Sequence, residues 1–471
     1  MNYKESVNMQ AGEGTTYFDG MKLTPRHYMM FFLILLGTFF DQMDLYNMSF
    51  VGPALIKNWG FTLENLALVN SVMIFTMLFG GLFGGYVSDR LGRKTSLLTG
   101  VFIFSVFSIC NGLAWNFVSF LVSRAITGFG IAMLVCTEGT YMSEITPSEV
   151  RGRWISITFG CSLVAAPLTA FFAKAVIPMF DFGWRLVFFV GGLGFVIFAL
   201  GLKYLSESPR WLATKGRYEE AKASFKTLTG QELAIDPASI HVEEKASWIE
   251  TMHVLLSKNY IRSTIVCSIF LFFIGSTAAF MFISWAPTLL TKHGFDLAVS
   301  LQIGSIIALG MPMGGIVGAA LAEKWGRKIP LGGLIILYGI FAFIFAQLTN
   351  PTYIMVFGFL MATCHMAYFS MTASYVPENY PTYVRGTSFA IIYLFSRVGP
   401  AIGNIAVPIL FAAVGYTGYF NVAGAMFLVA GLVVMIFGRS TAGHNLEELH
   451  KEWDDKCKNR QRNSTESLSE A

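Results

Sequence analysis

The chain has 471 residues, of which 54% are hydrophobic, 15% are aromatic and only 13% are charged. Because charged residues make up about a quarter of an ordinary soluble protein, this composition excludes a typical water-soluble fold and indicates a protein embedded in lipid. The formal net charge of +4 is small and dispersed along the chain, which excludes the continuous basic face of a nucleic-acid-binding protein.

Apolar stretches that are long enough to cross a bilayer follow one another along the chain. Hydrocarbon about 30 Å thick requires about 20 helical residues, so the sequence predicts an all-α membrane protein with twelve spans. An even number of spans places both termini on the same side. The predicted spans are 27–52, 63–88, 95–113, 117–142, 155–178, 185–205, 262–288, 298–322, 330–348, 353–376, 387–413 and 418–438.

Lysine and arginine residues concentrate in the even-numbered connections, for example at Arg93, Arg151, Arg327 and Arg385. Such residues are retained on the cytoplasmic side, so we expect both termini to be cytoplasmic in a multi-pass protein of the cell membrane. The first 26 residues are polar and lack the pattern of a cleaved signal peptide.

The sequence repeats itself at an offset of 234 residues. Residues 89–94 align with residues 323–328, and residues 144–147 align with residues 378–381. Two separate motifs share one offset, which indicates two homologous six-span halves related by pseudo-symmetry. The predicted parts are a cytoplasmic N-terminal segment 1–26, two six-helix bundles at 27–205 and 261–440, a cytoplasmic linker with short helices at 206–260, and a cytoplasmic tail at 441–471.

The segment Gly85-x-x-x-Asp89-Arg90-x-Gly92-Arg93-Lys94 resembles the signature of the major facilitator superfamily, and its copy after the eighth predicted span resembles it as well. The motifs around residues 141–152 and 207–212 resemble the sugar-porter branch and its metabolite:proton relatives, whereas residues 377–386 are more similar to the metabolite and organic-ion relatives. The resemblance implies loop charges that latch the two bundles on the cytoplasmic side. The predicted gate residues are Asp89, Arg90, Arg93, Glu144, Arg151, Glu323, Arg327, Glu378 and Arg385.

Two acidic residues lie within the first predicted span. Asp41 and Asp44 are three residues apart and therefore share one helical face. Two close carboxylates cannot both ionise cheaply, so the pair is predicted to carry a proton, and its pattern resembles that of aromatic-acid:proton symporters. The alternative to proton transfer is that the two aspartates serve helix packing or form a hydrogen bond in the outer gate. Glu138 in span four is a second candidate for proton relay, with an inner-gate contact as its alternative.

An arginine inside span eleven is the main candidate for substrate binding. An isolated guanidinium in a span needs an anion, so Arg397 is predicted to hold a substrate carboxylate, and a permanent pair with an acid on another helix is the alternative. Arg124 in span four is expected to pair with an aspartate of span one or to contact the substrate. Phe280 and Trp285 form a candidate aromatic wall, with ordinary core packing as the alternative.

His365 in span ten is a further candidate for substrate binding, and the alternative is a satisfied polar residue between helices. The six cysteines have no metal-ligand spacing, and no nucleophile–base pair or phosphate loop is found in the sequence. The sequence therefore predicts no enzymatic activity, no cofactor and no metal.

Together these features predict a secondary transporter that moves a small organic anion, a carboxylate or aromatic acid, with a proton by alternating access. The expected partners are the substrate, the proton and the lipid bilayer, and the expected functional unit is a monomer. Span seven lacks the paired glutamines of sugar carriers. The alternatives are a sugar or polyol carrier, then an organic-cation carrier, then a nutrient receptor.

Overall fold

The computed structural model describes residues 23–232, 248–381 and 383–441, with the side chains of residues 323–325 left aside. These residues are almost entirely helical and contain no strand. The helices are α1 Pro25–Trp59, α2 Leu63–Leu91, α3 Arg93–Leu113, α4 Phe117–Ile145, α5 Ser148–Val176, α6 Gly183–Gly191, α7 Gly194–Tyr204, α8 Pro209–Thr214, α9 Tyr218–Thr229, α10 Trp248–Leu256, α11 Ile261–Ile265, α12 Gly275–Ile283, α13 Ala286–Lys292, α14 Leu297–Trp325, α15 Lys328–Gln347, α16 Pro351–Glu378 and α17 Arg385–Phe437.

Eleven helical segments of the described chain are long and apolar enough to cross a membrane. The last of them, α17, has 53 residues and covers two of the predicted spans. It breaks at Gly415, where φ is 67° and ψ is −171°, a conformation that glycine adopts without steric cost. Eleven helices thus account for twelve spans, and the predicted all-α membrane fold is confirmed.

The described residues cluster into two compact units. Unit 1 takes its residues from Met1–Leu45, Thr76–Ser162 and Phe188–Glu243. Unit 2 takes its residues from Tyr46–Phe75, Leu163–Val187 and Glu244–Ala471. The predicted bundles 27–205 and 261–440 stay a prediction, and most of the predicted N-terminal segment and tail lies outside the described residues.

Close helix packing within unit 1 depends on glycines of α2. A Cβ atom on Gly84 would lie 2.8 Å from the Cα atom of Met133 in α4, and a Cβ atom on Gly80 would lie 2.8 Å from the Cα atom of Phe129. Such distances leave no room for any side chain. Small residues at four-residue spacing let two helices of a membrane protein approach at backbone distance.

The same contact recurs in unit 2 at the 234-residue offset. A Cβ atom on Gly318 of α14 would lie 3.0 Å from the Cα atom of Ala367 in α16, and Gly314 packs on Thr363. These four residues correspond to the α2–α4 contact residues of unit 1. The offset read from loop motifs therefore also relates the helix contacts inside the two units.

Predicted span seven is irregular. Residues Val266–Ile274 form a π-helical segment that continues into α12, and α13 begins after a break at Ser284 and Trp285. π-Helical turns are uncommon and often occur at functional sites. This irregular span carries Phe272, whose ring packs against Tyr393 at the candidate site described below.

Candidate functional site

The first charged site lies inside unit 1, between α1, α3 and α4. Arg124 donates to Asp44 Oδ1 across 2.5 Å, and both side chains are fully buried. The Ser108 hydroxyl donates to the second carboxylate oxygen of Asp44. The guanidinium also lies over the ring of Phe188, 5.4 Å from its centroid. A buried ion pair of this kind is stable only when both charges are matched, so Asp44 and Arg124 neutralise each other.

Asp41 lies one turn earlier on α1 and is also fully buried. Its Oδ1 atom accepts a hydrogen bond of 2.8 Å from the neutral amide of Gln42. Thr38, a further turn back, hydrogen-bonds with Glu138 of α4. Thr38 and Asp41 therefore share one face of α1, and Glu138 contacts that face at Thr38.

Arg397 in α17 is half-buried, and its setting in unit 2 contrasts with that of Arg124. Its Nη2 atom donates to the hydroxyl of Tyr393 across 3.3 Å, and its guanidinium lies 5.6 Å from the centroid of the same ring. Among the described residues, no carboxylate forms an ion pair with Arg397. The positive charge is thus oriented by a phenol and is not neutralised by a carboxylate of the part of the chain that the structure describes.

Two further aromatic rings pack around Tyr393, the residue that Arg397 contacts. The ring of Phe272 lies 5.6 Å from that of Tyr393 at a steep angle, and Phe389 lies 5.6 Å from Tyr393. Such edge and tilted contacts are the favoured aromatic geometries. The sequence reasoning missed all three rings. Tyr393 and Phe389 lie four and eight residues before Arg397 on the same helical face, so helical spacing is the signal that finds them.

The aromatic wall predicted at span seven is placed differently. Trp285 is 1% exposed, and its indole N–H donates to Asn404 Oδ1 across 2.6 Å. Asn404 in turn donates to the carbonyl of Pro400. Trp285 therefore holds α13 against α17, while Phe280 is only partly buried. Substrate contact by either ring stays a prediction.

His365 of α16 is buried, and its Nδ1 atom forms no hydrogen bond with any described residue. Its ring meets that of Tyr368 edge-on at 5.4 Å. The Tyr368 hydroxyl is likewise buried without a hydrogen-bond partner in the described chain. Buried polar atoms are normally satisfied, so these two require an explanation.

A separate, small apolar pocket lies in unit 2. Tyr46, Phe50, Pro287, Ile307 and Met311 are among its lining residues, and none of the lining residues is charged. A carboxylate placed there would lose its hydration without a compensating partner. This cavity is therefore unsuitable as an anion site.

The predicted gate residues of unit 1 gather at the α2–α3 turn. Arg93 binds Glu144 with contacts of 3.1 to 3.2 Å, and it donates to Asp89 across 2.8 Å. Arg90 is exposed and lies over Tyr86. We call Arg93, Glu144, Asp89 and Glu207 the Arg93 cluster.

Glu207 belongs to this cluster and was not among the predicted gate residues, although its motif was noted in the sequence. It accepts hydrogen bonds of 2.8 to 3.1 Å from the backbone N–H groups of Arg93, Lys94 and Ser208. Burial raises the pKa of Glu207, and these hydrogen bonds and the charge of Arg93 oppose that rise. The carboxylate caps α3, where Gly92, at φ 109°, leaves room for it.

The equivalent residues of unit 2 form a second cluster. Arg327 forms an ion pair with Glu378, in which Nε lies 2.8 Å from Oε1, and these two residues correspond to Arg93 and Glu144 at the 234-residue offset. Glu378 also accepts from the Thr441 hydroxyl at 2.6 Å. Arg385 donates to the carbonyl of Tyr380 across 3.4 Å. The side chain of Glu323 lies outside the described residues.

Arg151 is the remaining predicted gate residue. Two of its guanidinium nitrogens, Nε and Nη2, are buried and hydrogen-bond to no described residue. The structure therefore brings Asp89, Arg93 and Glu144 together in unit 1 and pairs Arg327 with Glu378 in unit 2, while Arg385 contacts the backbone of Tyr380, and Arg151 and the exposed Arg90 lie outside these clusters. A gating role for any of these residues stays a prediction.

Residues 38–453 match the family model described as sugar (and other) transporter. The chain belongs to this family of the major facilitator superfamily. YyaJ of Bacillus subtilis, a metabolite transport protein by name, is 32% identical over 93% of this chain and 98% of its own. The niacin transporter NiaP of Acinetobacter baylyi is 30% identical over 90% of this chain and 96% of its own.

The 4-hydroxybenzoate transporter PcaK of Pseudomonas aeruginosa is 26% identical over 85% of this chain and 88% of its own. Among solved structures, the inward-open xylose transporter XylE of Escherichia coli superposes with a TM-score of 0.72 at 18% identity and covers 91% of this chain. This likeness establishes the fold alone. As a member of the family, the chain is a multi-pass membrane transporter, and the prediction that it is not an enzyme is confirmed.

Proposed function

We propose that this transporter moves a small aromatic carboxylate together with a proton. The observation that carries the proposal is the setting of Arg397. Its guanidinium contacts the hydroxyl and the ring of Tyr393 and is not paired with a carboxylate of the described chain. A substrate carboxylate supplies the missing anion and accepts two parallel hydrogen bonds from the N–H groups of the guanidinium.

The aromatic surroundings favour an aromatic substrate over an aliphatic one. The partly exposed rings of Phe389 and Tyr393 provide faces and edges against which a flat ring packs with additional stabilisation, and the buried ring of Phe272 supports both of them. Two relatives, NiaP and PcaK, carry the names of niacin and 4-hydroxybenzoate transporters. Both substrates are aromatic monocarboxylates.

Proton coupling is assigned to Asp41, with Glu138 as a relay partner. Asp44 is already neutralised by Arg124, and Asp41 is the second buried carboxyl group of this span, with a hydrogen bond from Gln42 to its Oδ1 atom. Asp41 gains and loses the proton during the transport cycle in this proposal, because protonation removes the charge of a buried carboxyl group. Binding of a proton and of the substrate anion then lets a net neutral load cross the membrane as the protein alternates between states.

The test is uptake of radiolabelled benzoate into proteoliposomes that contain the purified protein. An inwardly directed proton gradient is expected to drive accumulation above equilibrium, and a protonophore is expected to abolish it. Neutral xylose in excess serves as the competitor for a sugar carrier. Uptake that is inhibited by xylose but not by carboxylates would overturn the proposed carboxylate substrate. Uptake that does not depend on the proton gradient would overturn the proposed proton coupling.

A further inference from the structure

The short helix α10 of unit 2 exposes an apolar edge. Its exposed large hydrophobic side chains are Trp248, Ile249, Met252 and Leu256. At 3.6 residues per turn these four positions fall within an arc of about 100° on one side of the helix. Thr251 and Leu255 on the next side are buried, and Glu250 and His253 occupy the exposed polar side. The helix therefore packs on the protein with one side and presents a separate apolar edge outward, with Ile249 76% exposed and Trp248 57% exposed.

A tight turn joins α10 to the start of predicted span seven. The carbonyl of Ser257 accepts hydrogen bonds from the backbone N–H groups of Tyr260 and Ile261 at 3.0 and 2.8 Å. The hydroxyl of Thr264 in α11 donates to the carbonyl of Leu255 across 2.9 Å. These contacts hold the end of α10 beside the end of a membrane span, so its apolar edge lies at the level where that span enters the bilayer.

Basic side chains lie at the same level. Arg262 donates from Nε to the carbonyl of Phe437, the last residue of α17, across 2.9 Å, and Arg439 donates to the carbonyl of Asn259. These two hydrogen bonds run in opposite directions and fasten the start of span seven to the end of α17. The guanidinium groups are thereby held at the helix ends, where a positive charge is favourable.

Lys258 lies in the turn between α10 and α11 and is exposed, as is Arg262. Neither side chain forms an ion pair with a carboxylate of the described residues. Ile265 and Ile436, one turn or less into the two spans, are also exposed, so the apolar surface continues along the spans beside the two basic residues. Hydrocarbon and an anionic headgroup are therefore matched side by side at this end of unit 2.

We infer that α10 is an interfacial helix whose apolar edge enters the boundary between headgroups and acyl chains, and that Lys258 and Arg262 bind the phosphate of an anionic phospholipid there. Tryptophan is enriched at this boundary, and apolar burial together with attraction to anionic lipids is what holds such helices at a membrane. The loop charges predict that this end of the spans is cytoplasmic, and anionic lipids give the cytoplasmic leaflet its negative surface potential.

The first experiment locates Trp248 in nanodiscs that contain the full-length protein. Its emission is the difference between the fluorescence of the unmodified protein and that of Trp248→Phe. This emission is expected to lose most of its intensity in phosphatidylcholine brominated near the headgroup end of the acyl chains, and little when iodide is added to the water. Trp211→Phe is the control, because Trp211 is buried in unit 1 and its emission is expected to resist both quenchers.

Quenching of the Trp248 emission by iodide but not by brominated lipid would show that the apolar edge faces water. Quenching by neither would show that a protein segment covers it. Either result would overturn the inference.

The second experiment tests the headgroup. Brominated phosphatidylglycerol is titrated into the purified protein in detergent with unlabelled phosphatidylcholine, and each variant is compared with its Trp248→Phe counterpart. Lys258→Gln is expected to raise the half-quenching concentration about fivefold, the usual contribution of one basic residue at an anionic surface. Lys215→Gln removes the same charge from an exposed position in unit 1 and is expected to change nothing.

Equal half-quenching concentrations for brominated phosphatidylglycerol and brominated phosphatidylcholine in the unmodified protein would contradict the anionic headgroup site. An equal effect of Lys258→Gln and Lys215→Gln would contradict it as well, because the attraction would then belong to the net charge of the protein and not to this turn.

Discussion

Arg124 and Arg397 both lie within membrane-spanning helices, yet their surroundings differ. Arg124 is fully buried and is neutralised by Asp44 in unit 1. Arg397 is half-buried in unit 2 and contacts a phenol rather than an acid of the described chain. A charge that the protein already pairs serves structure or coupling, whereas a charge that it leaves unpaired is available to an anion from outside.

The 234-residue offset sharpens this comparison. The helix contacts of α2 with α4 and the Arg93–Glu144 pair recur in unit 2, but the two arginines do not. Arg124 corresponds to Gly358, and Arg397 corresponds to Leu163. The shared features are therefore packing and loop charges, while the charged residues within spans are specific to one half.

Removing the acid from the paired arginine is expected to have the largest effect on stability. Asp44→Ala leaves Arg124 buried and uncompensated, which costs roughly 3–5 kcal/mol. The measurement is thermal unfolding of the purified protein in detergent. The double variant Asp44→Leu, Arg124→Leu removes both charges and is expected to recover most of the loss.

The control is Asp89→Ala, which breaks an ion pair whose acid is 64% exposed and is expected to cost less than about 1 kcal/mol. Equal destabilisation by Asp44→Ala and Asp89→Ala would mean that the buried ion pair contributes no more to stability than the exposed one. The proposed difference between Arg124 and Arg397 would then have no support from unit 1.

Asp41→Asn tests whether the proton site is distinct from the Asp44–Arg124 pair. The asparagine amide cannot bind and release a proton as a carboxyl group does. Substrate accumulation driven by a pH gradient is therefore expected to fall about tenfold, toward the passive level, because the group that transfers the proton is lost. Exchange of labelled for unlabelled substrate at equal pH needs no net proton movement and is expected to persist. Full gradient-driven uptake in Asp41→Asn would exclude this residue as the carrier.

Tyr393→Phe is expected to have the smallest effect. It removes one hydrogen bond to Arg397 and keeps the ring against the guanidinium. Affinity for benzoate is expected to fall about threefold, in the range of one partly exposed hydrogen bond. A loss as large as that of an Arg397 variant would show that the phenol, not the guanidinium, holds the carboxylate.

Much of this arrangement is predictable from the sequence because it is local. Helical spacing places Asp41 and Asp44 on one face, and hydropathy identifies the spans. The choice of Asp44 as the partner of Arg124 depends on the packing of α1 against α4, which no local pattern encodes. Phe272 was missed for the same reason, since its contact with Tyr393 joins residues more than a hundred positions apart.

The role expected for Trp285 shows another limit of sequence reasoning. An aromatic residue in a span is equally consistent with a substrate wall and with a structural contact. Its hydrogen bond to Asn404 is a tertiary feature that becomes visible only in the structure. Glu207 illustrates the opposite case, because its motif was recognisable and only its position at the start of α3 required coordinates.

The central claim is that Arg397 recognises a substrate carboxylate, since no acid of the described chain pairs with its charge. The most direct measurement compares the binding of benzoate and of its neutral analogue benzamide to the unmodified protein and to Arg397→Gln. The unmodified protein is expected to prefer benzoate by about 100-fold, as charge-assisted hydrogen bonds allow, and Arg397→Gln is expected to lose that preference while unfolding at the same temperature. An unchanged preference for benzoate in a folded Arg397→Gln protein would contradict the account.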